Sequence, residues 1–504
     1  MLLCTVYHDK GVSTINDDEQ VDRRSRVSAK GFDARSALTV DRRKNLHMGL
    51  GLVLRMVTIE NRDALERTDA HAVALDCIAA GIDAAHPERV VAESLSTHED
   101  VLTVAGAEDD ATEYELDRYE DVYVVGGGNA AGHLALAIEE QLGDRLTGGV
   151  VVTDDPAGTS VVEERRGDHP IPSEDGVAGA RRVLEVADRA GEDDLVVACL
   201  TGGGSALLPA PSEPITLADL QSVTESLLEC GASIDEINAV RKHCSSIKGG
   251  QLARQAAPAT VATLVISDVV GDRLDVIASG PTAPDPTTYA DALEVLERYE
   301  LSVPETVSAY LAAGDRGEHP ETVAPDDPLL ESVRAHVLGS GRTALEAARE
   351  VATDNGYEPL VLSSRVRGEA RESAITHAAI AEECAETGDP ITPPAVVLSG
   401  GETTVTLAED HGSGGPNQEF VLSGAVELES DAVVVASVDT DGIDGATDAA
   451  GAIATAADVS RTEGRRALAT NDALPILEST DAIVRTGPTG TNVNDLRVLV
   501  VAED

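Results

Sequence analysis

Short apolar runs alternate with helical stretches from Val57 onward, and this alternation limits the folds open to the chain. The runs are near-continuous in Val, Leu and Ile, and Ala- and Glu-rich stretches separate them. Strands that are apolar on both faces and alternate with helices are typical of parallel sheets covered by helices. The sequence therefore predicts a Rossmann-like, doubly wound parallel α/β sheet with a second, smaller α/β domain. The predicted strands are Val122–Val125, Val150–Val152, Leu195–Leu200, Thr260–Ile266, Ala335–Leu338, Leu360–Leu362, Ala395–Leu398, Ala432–Ser437 and Leu496–Val501.

Changes in composition along the chain suggest its domain boundaries. A polar, Pro-containing stretch precedes residue 395, and the sequence after it is richer in Gly and Thr. We assign residues 56–340 to a first, phosphate-binding α/β domain, residues 341–394 to a linking segment and residues 395–504 to the second domain. Residues 1–55 carry ten Lys/Arg against seven Asp/Glu, unlike the acidic remainder. We expect them to be a mis-assigned or disordered extension, with translation starting at Met56.

The charge balance excludes several classes of partner. Lys and Arg number 38 against 90 Asp and Glu, which gives a formal net charge of −52. Such a chain repels nucleic-acid phosphates and anionic lipids, and no apolar run reaches the ~20 residues of a membrane helix. The acids are spread along the chain and there are only five lysines, which predicts a salt-adapted protein because molar salt screens the repulsion. The six scattered cysteines predict reduced thiols in a cytoplasmic protein.

Three glycine-rich loops each follow a predicted strand. Glycine lets backbone N–H groups approach an anion, and a following helix adds its positive end. A tight strand-to-helix turn also requires glycine, so a single loop is a weak signal, whereas three indicate a phosphate or carboxylate site at the strand ends. None is a Walker A motif or a proper GxGxxG. The residues are Gly126, Gly127, Gly128 and Asn129 in the first loop, Gly202, Gly203, Gly204 and Ser205 in the second, and Gly400, Gly401 and Glu402 in the third.

A rare cluster of cations lies between residues 238 and 250. Lys242 and Lys248 are the only lysines after residue 55, and Arg241 lies beside them. Cations retained together in a chain that has lost lysine elsewhere indicate an anionic ligand. The alternative is a structural role at a helix C-terminus. We expect both lysines to be surface charges, whose loss lowers activity about tenfold or more and stability by less than ~1 kcal/mol.

Aspartates follow two of the apolar strands. Asp268 and Asp272 come after the strand that ends at Ile266, and Asp441 comes after the strand that ends at Ser437. Carboxylates at strand ends can hold Mg²⁺ or accept a hydroxyl proton. In a chain with 90 acids, aspartate pairs also arise by chance as solvated groups. Their position after apolar strands is what makes these candidates.

Together these motifs resemble the type-2 glycerate kinase family, the glycerate 2-kinases with a C-terminal MOFRL domain. The resemblance covers roughly residues 60–503 and implies ATP-dependent, Mg²⁺-assisted phosphorylation of the 2-hydroxyl of D-glycerate between two α/β domains. It leaves a homodimer open. The matching segments are DHPIP (168–172), TGGGSALL (201–208), EINAVRKH (236–243) with KGG (248–250), SDVVGD (267–272), IASGPT (277–282), SGGETT (399–404), GPNQE (415–419), TDGIDG (440–445) and GPTGTNVND (487–495).

The resemblance also implies roles for particular residues. Asp268 or Asp272 would hold Mg²⁺ or take the hydroxyl proton, with Asp441 contributing from the second domain. Arg241 and Lys248 would serve in catalysis by holding a phosphate or the glycerate carboxylate. The nucleotide-binding set would be Gly126, Gly127, Gly128, Asn129, Gly202, Gly203, Gly204, Ser205, Lys242, Gly400, Gly401, Glu402 and Asn417.

Two positions depart from the family pattern. The family usually has lysine where this chain has Asn129, and arginine where it has Pro416. Each replacement removes a cation, and losing one charge-assisted contact in a closed site costs roughly 3 kcal/mol. The leading hypothesis is an active kinase in which other cations serve. The alternative is a weakened paralogue that binds nucleotide or a sugar acid as a sensor or regulatory protein, and an oxidoreductase is disfavoured because the dinucleotide fingerprint is missing.

Overall fold

The computed structural model describes residues 57–106 and 111–503, so the prediction for residues 1–55 lies outside the described part. Two α/β lobes make up the described residues. The first lobe comprises residues 87–339, and the second comprises residues 57–84 together with 341–503. None of the helices described here is long and apolar enough to cross a membrane.

The strands form three sheets, and all nine strands predicted from the sequence are confirmed. In chain order they are β1 (Leu95–His98), β2 (Val101–Val104), β3 (Thr112–Glu115), β4 (Val122–Gly127), β5 (Gly148–Thr153), β6 (Val162–Arg166), β7 (Leu195–Thr201), β8 (Thr260–Ile266), β9 (Val333–Gly339), β10 (Glu358–Glu369), β11 (Ala395–Thr404), β12 (Val433–Asp439), β13 (Gly451–Ala454), β14 (Ile483–Val484) and β15 (Asp495–Val501).

The helices cover the sheets and connect the strands. In chain order they are α1 (Arg62–Leu65), α2 (Asp69–Ala84), α3 (Pro87–Ser94), α4 (Ala131–Leu142), α5 (Glu174–Ala187), α6 (Gly204–Leu207), α7 (Leu217–Glu229), α8 (Ile234–His243), α9 (Gln251–Ala256), α10 (Tyr289–Arg298), α11 (Glu305–Asp315), α12 (Gly341–Asp354), α13 (Ala370–Thr387), α14 (Pro416–Glu427), α15 (Arg461–Leu468) and α16 (Ala473–Glu478).

The first lobe is built on a parallel sheet with the strand order β6-β5-β4-β7-β8-β9. Alternate residues of β7 enter two different hydrophobic cores, with Val197 on one face and Val196 on the other. Burial on both faces explains why these strands read as continuous apolar runs. The order also places the carboxyl ends of β4, β7 and β8 side by side, and the loops that leave these ends carry the predicted site residues.

The second lobe has a mixed sheet, with the strand order β10-β11-β15-β12-β13-β14. Only β10 and β11 run parallel, and the other neighbouring pairs are antiparallel. The sequence favoured parallel strands here as well, and for this sheet that expectation is wrong. Every residue of β15 is buried, so its apolar run resembles that of a parallel strand although its direction is reversed.

Two segments lie in a different lobe from the one the sequence suggested. Residues 341–394 are not a linking segment, because α12, β10 and α13 form there and β10 is an edge strand of the second sheet. Helix α2 belongs to the second lobe although it precedes the whole first lobe. Its Leu75 and Ile78 share a buried core with Leu345 and Leu496. Composition identifies apolar segments, but it does not determine which sheet each segment packs on or joins.

Candidate active site

Loops that follow β4, β7 and β8 meet at one edge of the first sheet. The backbone N–H of Asn129 donates to the carbonyl oxygen of Gly202 at 2.8 Å. A Cβ atom at Gly202 would collide with the carboxylate of Asp268, and one at Gly203 would collide with the Asn129 side chain. Glycine is required here because the three loops approach so closely. The predicted residues Asn129, Gly202, Gly203 and Asp268 therefore lie together.

Asp268 stands directly after β8, against the second glycine loop. Its carboxylate accepts a hydrogen bond from the backbone N–H of Gly203, which favours the ionised form. Loss of solvent has the larger effect, so the pKa of Asp268 is raised above its usual value. The site thus holds a partly buried carboxylate at the strand end, as the sequence predicted.

The loop after β8 also meets the second lobe. Asp272 has a φ of +55°, a left-handed conformation that Asp tolerates better than most residues. Beside it, the guanidinium carbon of Arg365 lies 3.6 Å from where a Cβ at Gly271 would stand. Arg365 is carried by β10 and is exposed, and within the described residues no carboxylate forms an ion pair with it. The sequence analysis missed this arginine because nothing in its local sequence marks it.

Arg241 and Lys248 form what we call the cation pocket, beside the second glycine loop. The Lys248 ammonium donates to the carbonyl oxygens of Ser205 at 2.9 Å and Ala278 at 3.5 Å. Burial, together with the charge of Arg241, lowers the pKa of Lys248 to about 7. Burial alone lowers the pKa of Arg241 to about 10. Across the described part of the chain, no carboxylate forms an ion pair with either cation.

Lys242 has a different environment from its neighbours in sequence. Its ammonium lies 3.2 Å from the carboxylate of Asp285, and only 3% of the lysine is exposed. Asp285 is further held by the hydroxyls of Thr287 and Thr322. The prediction that Lys242 is a surface charge is therefore wrong, because its ammonium forms a buried ion pair. A cofactor-binding role for Lys242 stays a prediction beside this structural explanation. Lys248 is buried too, with 4% exposed, so neither lysine is a surface charge.

The first glycine loop owes its composition to packing. Gly126 has a φ of +142° and Gly128 a φ of +146°, and a Cβ at either position would collide with β7 or the residues after it. The Asn129 side chain donates to a carboxylate oxygen of Asp154 at 2.7 Å. A nucleotide-binding role for Gly126, Gly127, Gly128 and Asn129 stays a prediction beside this structural explanation.

The third glycine segment is not a loop. Gly400 and Gly401 lie inside β11, opposite Leu496 and Asp495 of β15. Gly401 has a φ of +119°, and a Cβ there would collide with the backbone of the neighbouring β10. The sequence placed the end of this strand too early, because glycine normally interrupts a strand. Here the glycines allow β10 to approach closely.

Four carboxylates of the second lobe form what we call the carboxylate cluster: Glu402, Asp439, Asp441 and Asp495. Asp439 and Asp495 are direct partners on β12 and β15, and the backbone N–H of Asp441 donates to Asp439 at 3.2 Å. Burial and the neighbouring carboxylates raise the pKa of Asp439 well above its usual value, and burial also raises that of Asp441. The predicted residues Glu402 and Asp441 thus lie in one group. Asp439 belongs to the same aspartate run as Asp441, and no role was predicted for Asp495.

The carboxylate cluster and Asp268 are near enough to influence each other. Burial raises the pKa of Glu402, and the charges of Asp495 and then Asp268 raise it further. Within the cluster the one ion-paired cation among the described residues is Arg497, which is fully buried and bonds Asp495. No group of three His, Cys, Asp or Glu in the described residues is arranged to hold a metal ion. A metal site at Asp268 and Asp272 therefore stays a prediction.

Comparison with known proteins is consistent with this two-lobed arrangement. Residues 73–312 match a family model described as a domain of unknown function, DUF4147, and residues 395–495 match the MOFRL family. Glycerate 2-kinase of Pyrococcus horikoshii is 38% identical over 442 residues, which cover 86% of this chain and 98% of that protein. This chain belongs to the glycerate 2-kinase family.

Other relatives agree on the fold and differ in their names. The crystal structure of glycerate kinase from Thermotoga maritima is 36% identical and has a TM-score of 0.74, covering 86% of this chain and 99% of that one. A protein of Agrobacterium vitis that is provisionally named a hydroxypyruvate reductase is 42% identical over 75% of this chain and 86% of its own length. The fold is thus shared by proteins that carry both names.

The structure explains how proline fits where the glycerate 2-kinase family usually has arginine. Pro416 is the first residue of α14 and follows the N-cap Gly415. The first helical position suits proline, because its missing N–H would have no partner inside the helix. The next two backbone N–H groups, of Asn417 and Gln418, donate to the carboxylate of Asp444 at 2.9 Å each. This helix end is therefore capped by the protein's own carboxylate.

Asn417 has its side chain fully engaged inside the second lobe. Its amide donates to Asp495 at 2.7 Å and to Asp444 at 3.2 Å, and its oxygen accepts from Ser437. Only 1% of the residue is exposed. The structure thus places the Asn417 side chain against Asp495 of the carboxylate cluster, and a direct contact with nucleotide stays a prediction.

Proposed function

We propose that this chain transfers the γ-phosphoryl group of ATP to the 2-hydroxyl of D-glycerate, giving 2-phosphoglycerate and ADP. The observation that carries the proposal is the cation pocket. The buried Lys248 and the half-buried Arg241 have no carboxylate partner in the described residues. Lys248 bonds the second glycine loop, which Asp268 also contacts, in a chain with a net charge of −52. Uncompensated buried cations are costly, and a small anion compensates them. Because the chain belongs to the glycerate 2-kinase family, we propose that this anion is glycerate.

Residues of both lobes would bind the reactants and neutralise charge during phosphoryl transfer. Such a reaction needs positioned reactants and neutralised charge more than covalent help from the protein. Arg241 and Lys248 bind the carboxylate of D-glycerate, and the backbone N–H groups around Gly203 contact phosphate oxygens. Arg365 approaches from the second lobe, where a cation can offset charge on the transferred phosphoryl group.

Asp268 is the proposed proton acceptor. The 2-hydroxyl oxygen forms a bond to the γ-phosphorus, the bond from that phosphorus to the ADP oxygen breaks, and the hydroxyl proton passes to the Asp268 carboxylate. The carboxylate stands at the end of β8 and contacts the second glycine loop, whose Ser205 carbonyl oxygen accepts from Lys248 of the cation pocket. General-base assistance of this kind contributes about 10²- to 10⁴-fold to a rate.

A magnesium ion fits the donor set of this site. Mg²⁺ in phosphoryl-transfer enzymes is commonly held by one or two carboxylates together with substrate phosphates. The negative charges of Asp495 and Asp268 raise the pKa of Glu402. A bound dication would reduce the repulsion among these carboxylates. Of the two predicted metal ligands, Asp272 would hold the ion, which leaves Asp268 for the proton. Glu402, which the sequence predicted to bind nucleotide, would be the second ligand. When bound, the ion neutralises charge on the phosphate oxygens.

Phosphorus NMR in molar KCl tests the proposal directly. Purified protein is incubated with ATP, Mg²⁺ and D-glycerate, and the products are identified from their resonances. We expect ADP and 2-phosphoglycerate in equal amounts, with no ADP formed when D-glycerate is omitted. Folded protein that produces neither compound would reject the kinase and favour the binding-only paralogue, which calorimetric titration of ATP and D-glycerate then examines.

A reductase activity is the second outcome to measure, because of the Agrobacterium relative. NADH oxidation with hydroxypyruvate is followed in the same buffer without ATP. We expect no oxidation above the protein-free rate. Turnover in this assay, and none in the kinase assay, would replace the proposed function.

The cellular setting is part of the same proposal. The five cysteines in the described residues are free thiols, and the acidic composition suits molar salt. We propose a salt-adapted, cytoplasmic enzyme, with a homodimer as the assembly to test by light scattering. Unfolding midpoints measured across a KCl series should rise with salt, because screening reduces repulsion among the carboxylates.

A further inference from the structure

One buried amide group beside the cation pocket lacks a hydrogen-bond partner. Asn238 lies in α8 and is 3% exposed, and its Nδ2 has no partner in the described part of the chain. Leaving a buried polar group unsatisfied destabilises the folded state. Such groups are rare enough in native proteins that each calls for an explanation.

Hydrogen bonds on its other side hold this amide in one orientation. The hydroxyl of Ser279 donates to Asn238 Oδ1 at 2.9 Å, and the Ser279 and Ser205 hydroxyl oxygens lie 2.7 Å apart. Ser279 is fully buried, with a φ of +62°. With Oδ1 accepting from Ser279, the two N–H groups of the amide face away from this bond and have no acceptor among the described residues.

The same chain of contacts leads into the cation pocket. The Ser205 carbonyl oxygen accepts from Lys248 at 2.9 Å, and Lys248 is close enough to Arg241 for the guanidinium to affect it. Asn238 and Arg241 are three residues apart on α8, so they occupy the same face of the helix. A chain of contacts and one helix face thus link an unsatisfied donor to two cations that have no ion-pair partner in the described residues.

We propose that the Asn238 amide recognises the terminal hydroxyl of the acceptor and so determines which 2-hydroxy acid is phosphorylated. This inference rests on the proposed function. The two cations already match the acceptor's carboxylate, and the 2-hydroxyl is the reacting group. An additional neutral donor is the complement of a further neutral oxygen, which D-glycerate has and D-lactate lacks. Ser279 is then a positioning residue that fixes the direction of the amide.

A comparison of two acceptors tests the inference. D-Glycerate and D-lactate differ in the terminal hydroxyl, and ADP release is measured with each. A site built to bond a hydroxyl strongly rejects the analogue that lacks it, so we expect the wild type to prefer D-glycerate at least about 100-fold in kcat/KM. Asn238→Ala should lower kcat/KM for D-glycerate at least about thirtyfold and change that for D-lactate less than about threefold.

Two further variants control for folding and for orientation. Asn238→Leu fills the same space without hydrogen-bonding atoms, and it should lose discrimination as Asn238→Ala does, with an unfolding midpoint close to that of the wild type. Ser279→Ala keeps the amide but releases its orientation, so it should retain a preference for D-glycerate while its KM rises. An acceptor ratio that stays within threefold of wild type in both Asn238 variants overturns the inference.

Failure of the proposed function is distinguishable from failure of this inference. If the wild type releases no ADP with any acceptor, the kinase proposal fails. Calorimetric titration of D-glycerate into the wild type and Asn238→Leu then tests the amide by itself. Binding at least tenfold weaker in the variant supports the contact, and equal binding overturns it.

Discussion

The cation pocket of the first lobe and the carboxylate cluster of the second lobe have opposite excess charge. Arg241 and Lys248 lie together without a carboxylate partner in the described residues, whereas the cluster sets four carboxylates around a single buried arginine, Arg497. In each group, burial and like charges favour the neutral forms. Each lobe is therefore electrostatically incomplete by itself, and the proposed binding of ATP, D-glycerate and Mg²⁺ would complete both.

The largest effect is expected at Asp268, which contacts the second glycine loop and influences Glu402 of the carboxylate cluster. Asp268→Asn removes the proposed proton acceptor, and we expect kcat/KM to fall about 1000-fold. Asp272→Asn is the matched control, because asparagine suits the left-handed backbone at this position and tests the metal role alone. Its activity should fall less and recover at higher Mg²⁺. Equal losses that Mg²⁺ does not reverse would mean that we have assigned the proton acceptor incorrectly.

Replacing each of the two buried lysines should have a different effect, one on activity and the other on stability. Lys248→Met should lower kcat/KM about 100-fold with an unchanged or higher free energy of unfolding, since an uncompensated charge is removed. Lys242→Met leaves Asp285 buried without its cation, so unfolding free energy should fall by about 3–5 kcal/mol. Kinetics and urea unfolding in the same molar KCl buffer provide both numbers. If Lys242→Met instead lost activity without losing stability, and Lys248→Met lost stability, Lys242 would be the substrate-binding cation.

The pH dependence of stability should have opposite signs in the two lobes. The pKa of Lys248 is lowered to about 7, so between about pH 7 and 10 the unfolded chain binds more protons and stability rises with pH. The pKa of Asp444 is raised to about 7 by burial, so between about pH 4 and 7 the folded chain binds more protons and stability falls as pH rises. In Lys248→Met, the rise of the unfolding free energy between about pH 7 and 10 should be reduced. In Asp444→Asn, its fall between about pH 4 and 7 should be reduced. Urea unfolding at a series of pH values measures both.

The smallest effect is expected from restoring the usual family residues. In Asn129→Lys with Pro416→Arg, we expect kcat/KM to change less than about threefold, because Arg241, Lys248 and Arg365 already supply cations. Lysine at position 129 would also meet Asp154, which now accepts from Asn129. Activation by two orders of magnitude would instead identify the wild type as a weakened paralogue.

Residue patterns predicted the strands and the edge of the sheet that carries the site, but not every role within it. Strand β7 and Asp268 were predictable because burial on both faces and position after a strand are visible in sequence. Lys242 and Lys248 look alike in sequence, yet one meets Asp285, 43 residues away, and the other meets only carbonyl oxygens. Partners so distant along the chain are decided by packing, which local patterns do not contain.

The order of the second sheet has a consequence for how the chain is made. Strand β15, the last one described, lies in the middle of that sheet between β11 and β12, and α2 packs on it from more than 400 residues earlier. The parallel sheet of the first lobe can form while synthesis continues, because its strands are contiguous in sequence. The second sheet stays open until residues 495–501 leave the ribosome, and its apolar edges need protection until then. Helix α2 is made before every strand described here, so it is among the elements that remain longest without their partners.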